Sequence, residues 1–231
     1  MKTLNLFVLL LIAFAGLHAP AKASGASGAI GVSKPAKAKA VHARAIARPM
    51  RVNAPNVTRL AALTSSAVVI LDPKSGQVLY QRNQHAVMPI ASLTKLMTAL
   101  VVLEADQDMG QMLTVTGADV DRLKYSSSRL QVGTRLTRGA MLHLALMSSE
   151  NRAASALGRY YPGGTRQFVL AMNRKASALG MARTRYVEPT GLSSANVSTP
   201  SDLARLVIAA EKNALIRRYS TDRSFAIRQG R

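Results

Sequence analysis

The sequence predicts a mixed α/β (α+β) domain, an antiparallel strand pair flanked by helices, behind an N-terminal leader and a basic arm. Three features predict it. A β-branched apolar run at 67–71 leads through a turn into a second strand-like run at 77–81. From residue 92 the apolar spacing becomes helical. The 231 residues have room for one ordinary domain plus an arm. Hydrophobic residues make up 48% of the chain but aromatic ones only 4%, so the core has to rest on Ala, Leu, Val and Met.

Lys2 opens the chain, Leu4 to Gly16 is an apolar run, and Ala21-Lys22-Ala23 places small residues where a signal peptidase cuts. Residues 1–23 therefore read as a secretory leader, too short to span a bilayer, with a retained anchor as the other reading. The chain is expected to be exported, to a periplasm. Residues 24–60 are rich in Ala, Gly, Ser and Pro, carry seven Lys/Arg and no acid, and lack helical periodicity. They read as a flexible arm, either a spacer or a tether to anionic membrane or wall. Nucleic acid is disfavoured as a partner, because the arm has no aromatic side chain to stack on bases. The net charge is +20, and removing Lys2 and Lys22 with the leader leaves +18, which favours polyanionic surfaces. There is no cysteine, which excludes disulfides, thiol catalysis, thiolate metal sites and a Cys-linked lipid anchor.

The folded part is expected over 61–231. Ala67-Val68-Val69-Ile70-Leu71 is apolar on both faces, as in a strand covered on both sides. Asp72-Pro73-Lys74-Ser75-Gly76 is a turn, and Gln77 to Gln81 completes a hairpin. Ser92 to Glu104 has apolar residues at helical spacing (Leu93, Leu96, Met97, Leu100, Val101). Gly139–Met147, Asn151–Tyr160 and Thr165–Leu179 are further helices. Thr199-Pro200-Ser201-Asp202 is a strong helix start, and that helix should run to about Lys212. Arg223 to Arg228 reads as a last strand.

The chemistry lies first in Ser92-Leu93-Thr94-Lys95. Residues three apart share a helix face, so Lys95 can lie against the Ser92 hydroxyl at a helix N-terminus, where free N–H groups favour a developing oxyanion. Serine needs an adjacent base. Lysine can be that base only if burial or a cation lowers its pKa well below about 10.4. Taken alone, the spacing is weak: Ser is a routine helix cap and Lys95 a routine solvated side chain. A Ser-x-Asn triplet occurs twice, at Ser149-Glu150-Asn151 after an apolar helix and at Ser194-Ala195-Asn196, and spacing does not choose between them. His42, His85 and His143 lack metal-ligand spacing, so no metal and no cofactor is expected. Glu150 and Glu188 lie near the motifs as candidate bases, with Glu150 expected to face solvent beside the arginines.

Pro89-Ile90-Ala91-Ser92-Leu93-Thr94-Lys95-Leu96-Met97-Thr98-Ala99 resembles the first active-site motif of the low-molecular-mass penicillin-binding proteins, the D-alanyl-D-alanine endopeptidase and carboxypeptidase family (serine peptidase family S11). Leu146 to Ala154 resembles their second motif, and Glu188-Pro189-Thr190-Gly191-Leu192 through Thr199 resembles a loop that precedes a helix in the family. The last match assigns Ser194 and Asn196 to that loop and leaves Ser149 and Asn151 as the catalytic pair. The Ser-Glu-Asn form is most similar to the endopeptidases, and carboxypeptidases are close neighbours. The resemblance implies a β-lactamase/transpeptidase-like fold with a helical subdomain. It implies Ser92 as nucleophile, Lys95 as its base, Ser149 as proton relay to the leaving amine, and Asn151 positioning Lys95 and substrate. It also implies a peptidoglycan peptide as substrate, an acyl-enzyme, and β-lactams as inhibitors.

The family's third motif, Lys-Thr-Gly on a late strand, has no counterpart: the only lysine after Lys175 is Lys212, in a helical segment. By resemblance the last strands would lie beyond Arg231, so the domain is expected to be C-terminally incomplete and weakly active or inactive. Two other functions stay open. One is a class A-like β-lactamase with Glu188 activating water. The other is a non-catalytic wall- or polyanion-binding protein.

Overall fold

The computed structural model describes residues 63–227. The expected leader over 1–23 and arm over 24–60 lie outside the described residues. Strand β1 (Val68–Leu71) pairs antiparallel with β2 (Val78–Arg82), with Ile70 opposite Tyr80 and a register irregularity between Ile70 and Leu71. The turn closes through Asp72, whose carboxylate accepts from Lys74 N at 2.9 Å and Ser75 Oγ at 2.8 Å. The hairpin is as expected, but its cover is not. Val68 is buried, the rest of β1 is only half-buried, and Val78 and Leu79 are 46% and 48% exposed. A helix packs against β1, and among the described residues the hairpin has no third strand.

Two further strand pairs were not expected. β3 (Met88–Pro89) pairs with β6 (Val197–Ser198), and β4 (Met112–Thr114) pairs with β5 (Arg135–Thr137), both antiparallel. At two and three residues each, they are too short for alternation to announce them.

A 3-10 turn at Ala91–Leu93 leads into helix α1 (Thr94–Glu104). This helix is covered nearly all round, since Thr94, Lys95 and every residue from Met97 to Val102 are buried. Helices α2 (Arg138–Met147), α3 (Asn151–Arg159), α4 (Gly164–Ala178) and α5 (Pro200–Glu211) pack around it. Such a helix is a core element rather than an amphipathic surface one. Its Met97, Leu100 and Val101 share the core with Met141, Leu142, Leu157, Phe168, Met172 and Leu206.

The caps explain the boundaries. Thr137 Oγ1 accepts from Ala140 N at 3.1 Å, and Thr199 Oγ1 accepts from Asp202 N at 3.1 Å with Pro200 in the first turn. Asn213 Oδ1 accepts from Leu215 N and Ile216 N and starts α6 (Ala214–Thr221), a helix the sequence pattern did not show.

The strand expected over Arg223 to Arg228 is absent from its described part, residues 223–227. There the Phe225 ring lies 4.1 Å from that of His143, which also stacks on Tyr219 at 4.1 Å. The apolar side chain that suggested a strand instead closes an aromatic cluster over α2.

Candidate active site

The start of α1 is where the expected site residues meet. Lys95 is 3% exposed, and its Nζ donates to Ser92 Oγ at 3.3 Å, Asn151 Oδ1 at 2.8 Å and the Thr190 carbonyl at 2.7 Å. Ser149 Oγ donates to Ser92 Oγ at 2.9 Å. Ser92, Lys95, Ser149 and Asn151 thus form one hydrogen-bonded group, although they come from a 3-10 turn, the α2–α3 junction and two helix N-termini. Ser92 and Ser149 are exposed, so the hydroxyls face solvent while the amine lies beneath them. The second triplet goes elsewhere. Ser194 is exposed and Asn196 is fully buried as a brace for the 187–196 loop.

Burial is the main influence on Lys95 and lowers its pKa from 10.5 to about 8, against the opposing pull of Glu188 and Glu150. A neutral amine has two N–H donors and one lone pair. Asn151 Oδ1 and the Thr190 carbonyl can only accept, so they take the two donors. The lone pair is then left facing the Ser92 hydroxyl, the arrangement a general base requires.

Two backbone positions beside Ser92 Oγ are left-handed without being glycine. Ala91 has φ +44° and Ser149 has φ +56°. Such conformations cost roughly 1–3 kcal/mol each and gather at functional sites. Here they turn Ser92 and Ser149 toward each other.

Three supports could not be read from the motifs. The first is the way Glu188 holds the 187–196 loop. Glu188 accepts from Thr190 N at 2.6 Å, Gly191 N at 2.6 Å and Asn196 Nδ2 at 2.9 Å, and from the Thr190 hydroxyl. Glu188 is therefore occupied as the loop's anchor, which removes the ground for a water-activating role. The second is Ser126, whose Oγ accepts from Asn151 Nδ2 at 2.9 Å and so orients the amide. Nothing in Ser126-Ser127-Ser128 distinguished it. The third is Asp121, which closes the loop before Ser126 by accepting from Leu123 N, Lys124 N and Ser126 N at 2.8, 3.0 and 2.8 Å. Burial pushes its pKa up, but those hydrogen bonds outweigh it and hold the carboxyl well below the usual range.

Glu150 also differs from expectation. It is half-buried: it caps α3 by accepting from Arg152 N at 3.1 Å and takes the Ser128 hydroxyl at 2.7 Å. His143 lies in the aromatic cluster and His85 is exposed; among the described residues no group of His, Asp and Glu could hold a metal ion.

The chain is similar to known proteins throughout this region. The family model for D-alanyl-D-alanine carboxypeptidases matches residues 50–228. The D-alanyl-D-alanine endopeptidase of Pseudomonas aeruginosa is 50% identical over 159 residues, covering 69% of this chain and 51% of that protein. The Escherichia coli endopeptidase is 47% identical over 161 residues, covering 70% and 52%. The crystal structure of the Streptomyces K15 DD-transpeptidase superposes with a TM-score of 0.62 at 29% identity, over 68% of this chain and 65% of that one. The chain spans about half the length of these curated relatives. The fold is thus of the transpeptidase type, with antiparallel strands flanked by helices. On the family match and these similarities, the chain belongs to the D-alanyl-D-alanine carboxypeptidase family of serine peptidases.

Proposed function

We propose that this chain carries the acylating group of a serine-type D-Ala-D-Ala peptidase acting on peptidoglycan peptides or cross-links, and that β-lactams acylate the same serine. The observation that carries this is the convergence of Ser149 Oγ, at 2.9 Å, and buried Lys95 on Ser92 Oγ. In the proposed step the Ser92 proton passes to the neutral Lys95 amine as Oγ bonds to the D-Ala carbonyl carbon. The peptide C–N bond then breaks, and Ser149 relays a proton to the departing D-amino group. Water later attacks the ester, releases the acid and restores the serine hydroxyl. Similarity to the endopeptidases favours cross-links as substrate over terminal D-Ala.

The test is labelling of the purified chain with a fluorescent penicillin beside Ser92→Ala. Slow labelling, in keeping with the weak activity expected of this domain, that disappears in Ser92→Ala is the expected outcome. Equal labelling of the two chains would refute the assignment of the nucleophile.

The leader-like residues 1–23 support an exported, periplasmic location, and the acid-free run 24–60 supports electrostatic contact with anionic membrane or wall. Retention on anionic vesicles or wall sacculi should fall steeply between low and physiological salt, and salt-independent retention would count against that contact.

A further inference from the structure

We propose that Glu188 is a positioning residue of this site: its carboxylate fixes the 187–196 loop so that the Thr190 carbonyl holds the Lys95 amine with its lone pair on Ser92. This rests on Lys95 being the base.

The geometry runs in one direction, from the carboxylate to the amine. Both oxygens of Glu188 are engaged. Oε2 accepts from Thr190 N at 2.6 Å and from the Thr190 hydroxyl, while Oε1 accepts from Gly191 N at 2.6 Å, Asn196 Nδ2 at 2.9 Å and Ser193 N at 3.4 Å. One side chain thereby binds the backbone N–H groups of Thr190, Gly191 and Ser193, and the peptide units around them have little freedom left. Asn196 braces the same turn. Its Oδ1 accepts from Val187 N at 2.7 Å, and its Nδ2 donates to Glu188 O at 2.9 Å and to Thr94 Oγ1 at 3.1 Å.

The loop so formed is fastened to the first turns of α1 at three successive polar positions. Asn196 bonds Thr94, the Thr190 carbonyl takes Lys95 Nζ at 2.7 Å, and the Pro189 carbonyl takes Thr98 Oγ1 at 2.7 Å. On its other side Pro189 lies against α3, where a β-carbon on Gly158 would come within 2.9 Å of Pro189 Cγ. The loop is wedged between two helices, with Thr190 O as its contact to the reacting group. Without that acceptor, the amine would have a free N–H to turn toward Ser92, and the lone pair would leave the serine.

Glu188 also faces Lys95 with its charge, and Glu150 at the start of α3 is the other acid acting on the amine. Removing one negative charge lowers the pH at which Lys95 loses its proton. Loss of positioning instead lowers the rate at every pH. The two effects separate Glu188 from a residue that merely supports folding, since partial unfolding changes labelled amplitude and leaves the pH limb in place.

The experiment compares the full chain with Glu188→Gln and Glu188→Asp. It measures the fluorescent-penicillin labelling rate from pH 6 to 10 and the Lys95 side-chain amine titration by 15N NMR. For Glu188→Gln the plateau rate should fall about tenfold or more, and limb and titration should move to lower pH by roughly half a pH unit. For Glu188→Asp, which keeps the charge on a shorter stem, the limb should stay while the plateau falls.

A Glu188→Gln chain within twofold of the parent rate with an unmoved limb overturns the inference. So does one that labels at the parent rate but holds the label far longer, because Glu188 would then act on water. Should Glu188→Gln fail to fold, a Glu188→Asp chain at the parent plateau overturns it equally. A parent that shows no Ser92-dependent labelling would sink the peptidase reading. The Lys95 titration would then still decide here, since identical titrations in parent and Glu188→Gln overturn the inference alone.

Discussion

A β-carbon placed on Gly191 would lie 1.9 Å from the carbonyl oxygen of Ala91, the residue that precedes Ser92. Gly191 also has φ +87°, a conformation L side chains rarely adopt. The loop therefore touches the turn that presents Ser92 backbone to backbone, and only glycine permits it. Gly191→Ala should cost at least about 2 kcal/mol and suppress penicillin labelling, because the clash can be relieved only by moving Ala91 or the loop. Gly133→Ala is the control: φ is +93° there, but nothing lies within 4 Å of the added carbon. It should lower the melting temperature modestly and leave labelling intact. Equal melting losses in the two variants would show that backbone conformation, rather than the close approach to Ala91, sets the cost.

The depressed pKa of Lys95 is also a statement about stability. Between about 8 and 10.5 the unfolded chain keeps this proton and the folded chain has lost it, so stability rises with pH across that window. Below about 8 both states are protonated and the full penalty of the buried ammonium is felt, on the order of 3 kcal/mol. Lys95→Met removes the titrating group. Its melting temperature, compared with the parent from pH 7 to 10, should lack the parent's upward trend at the alkaline end, and Ser92 labelling should be lost. Parallel curves for the two chains would mean that Lys95 keeps an ordinary pKa.

Asp121 reaches the site through two hydrogen bonds in series, from its loop to Ser126 and from Ser126 to Asn151. Asp121→Ala should slow labelling about tenfold by slackening the support of Asn151, and Ser126→Ala, which removes the last link of that series, should slow it at least as much. The sign of the pH effect follows from a carboxyl held below its ordinary range. Its stabilisation is complete above the usual carboxylate pKa and drains away as pH falls through and beneath it. Thermal melts of parent and Asp121→Ala should therefore keep a steady gap from pH 7 to about 4 and draw together only below it; a gap that stays constant below about 4 would indicate that Asp121 acts through packing.

Apolar spacing located α2 to α5 to within a residue or two, and polar caps at Thr137, Glu150 and Thr199 mark the starts of α2, α3 and α5. The same spacing located α1 but not its depth, since its polar Thr94, Lys95 and Thr98 are buried with its apolar residues. It gave no hint of Arg138, which is fully buried at the start of α2 with Nε donating to the Asp108 carbonyl at 3.2 Å. Local pattern marks which side of a helix is apolar, whereas partners from distant segments decide which polar groups can be buried. Ser92, Lys95, Ser149 and Asn151 could be singled out because two short motifs carried them, and the structure brings the four together. Ser126, Asp121 and the anchoring role of Glu188 could not, because each works by bonding backbone or amide groups that any sequence possesses. The β1–β2 hairpin was legible in position but not in cover, since an apolar run reports what it can be packed against and not how deeply it is buried.

Ser149 joins strain and chemistry in one residue. Its φ of +56° is unfavourable for any side chain, and its hydroxyl lies 2.9 Å from that of Ser92. Ser149→Ala removes the hydroxyl and keeps the strain. Ser149→Gly removes both, at the cost of a more flexible unfolded chain. The left-handed penalty is about 1–2 kcal/mol and the glycine entropy cost about 0.5–1 kcal/mol, so Ser149→Gly should melt above Ser149→Ala. If Ser149 relays the proton to the leaving group, both variants should lose the same share of acylation rate, about 10²–10⁴-fold. Rates and melts measured side by side separate the two roles. Equal and large rate losses with different melting temperatures assign the hydroxyl to the reaction. A rate that recovers in Ser149→Gly along with stability would mean that Ser149 acts by shaping the backbone between α2 and α3, and the proton would need another carrier.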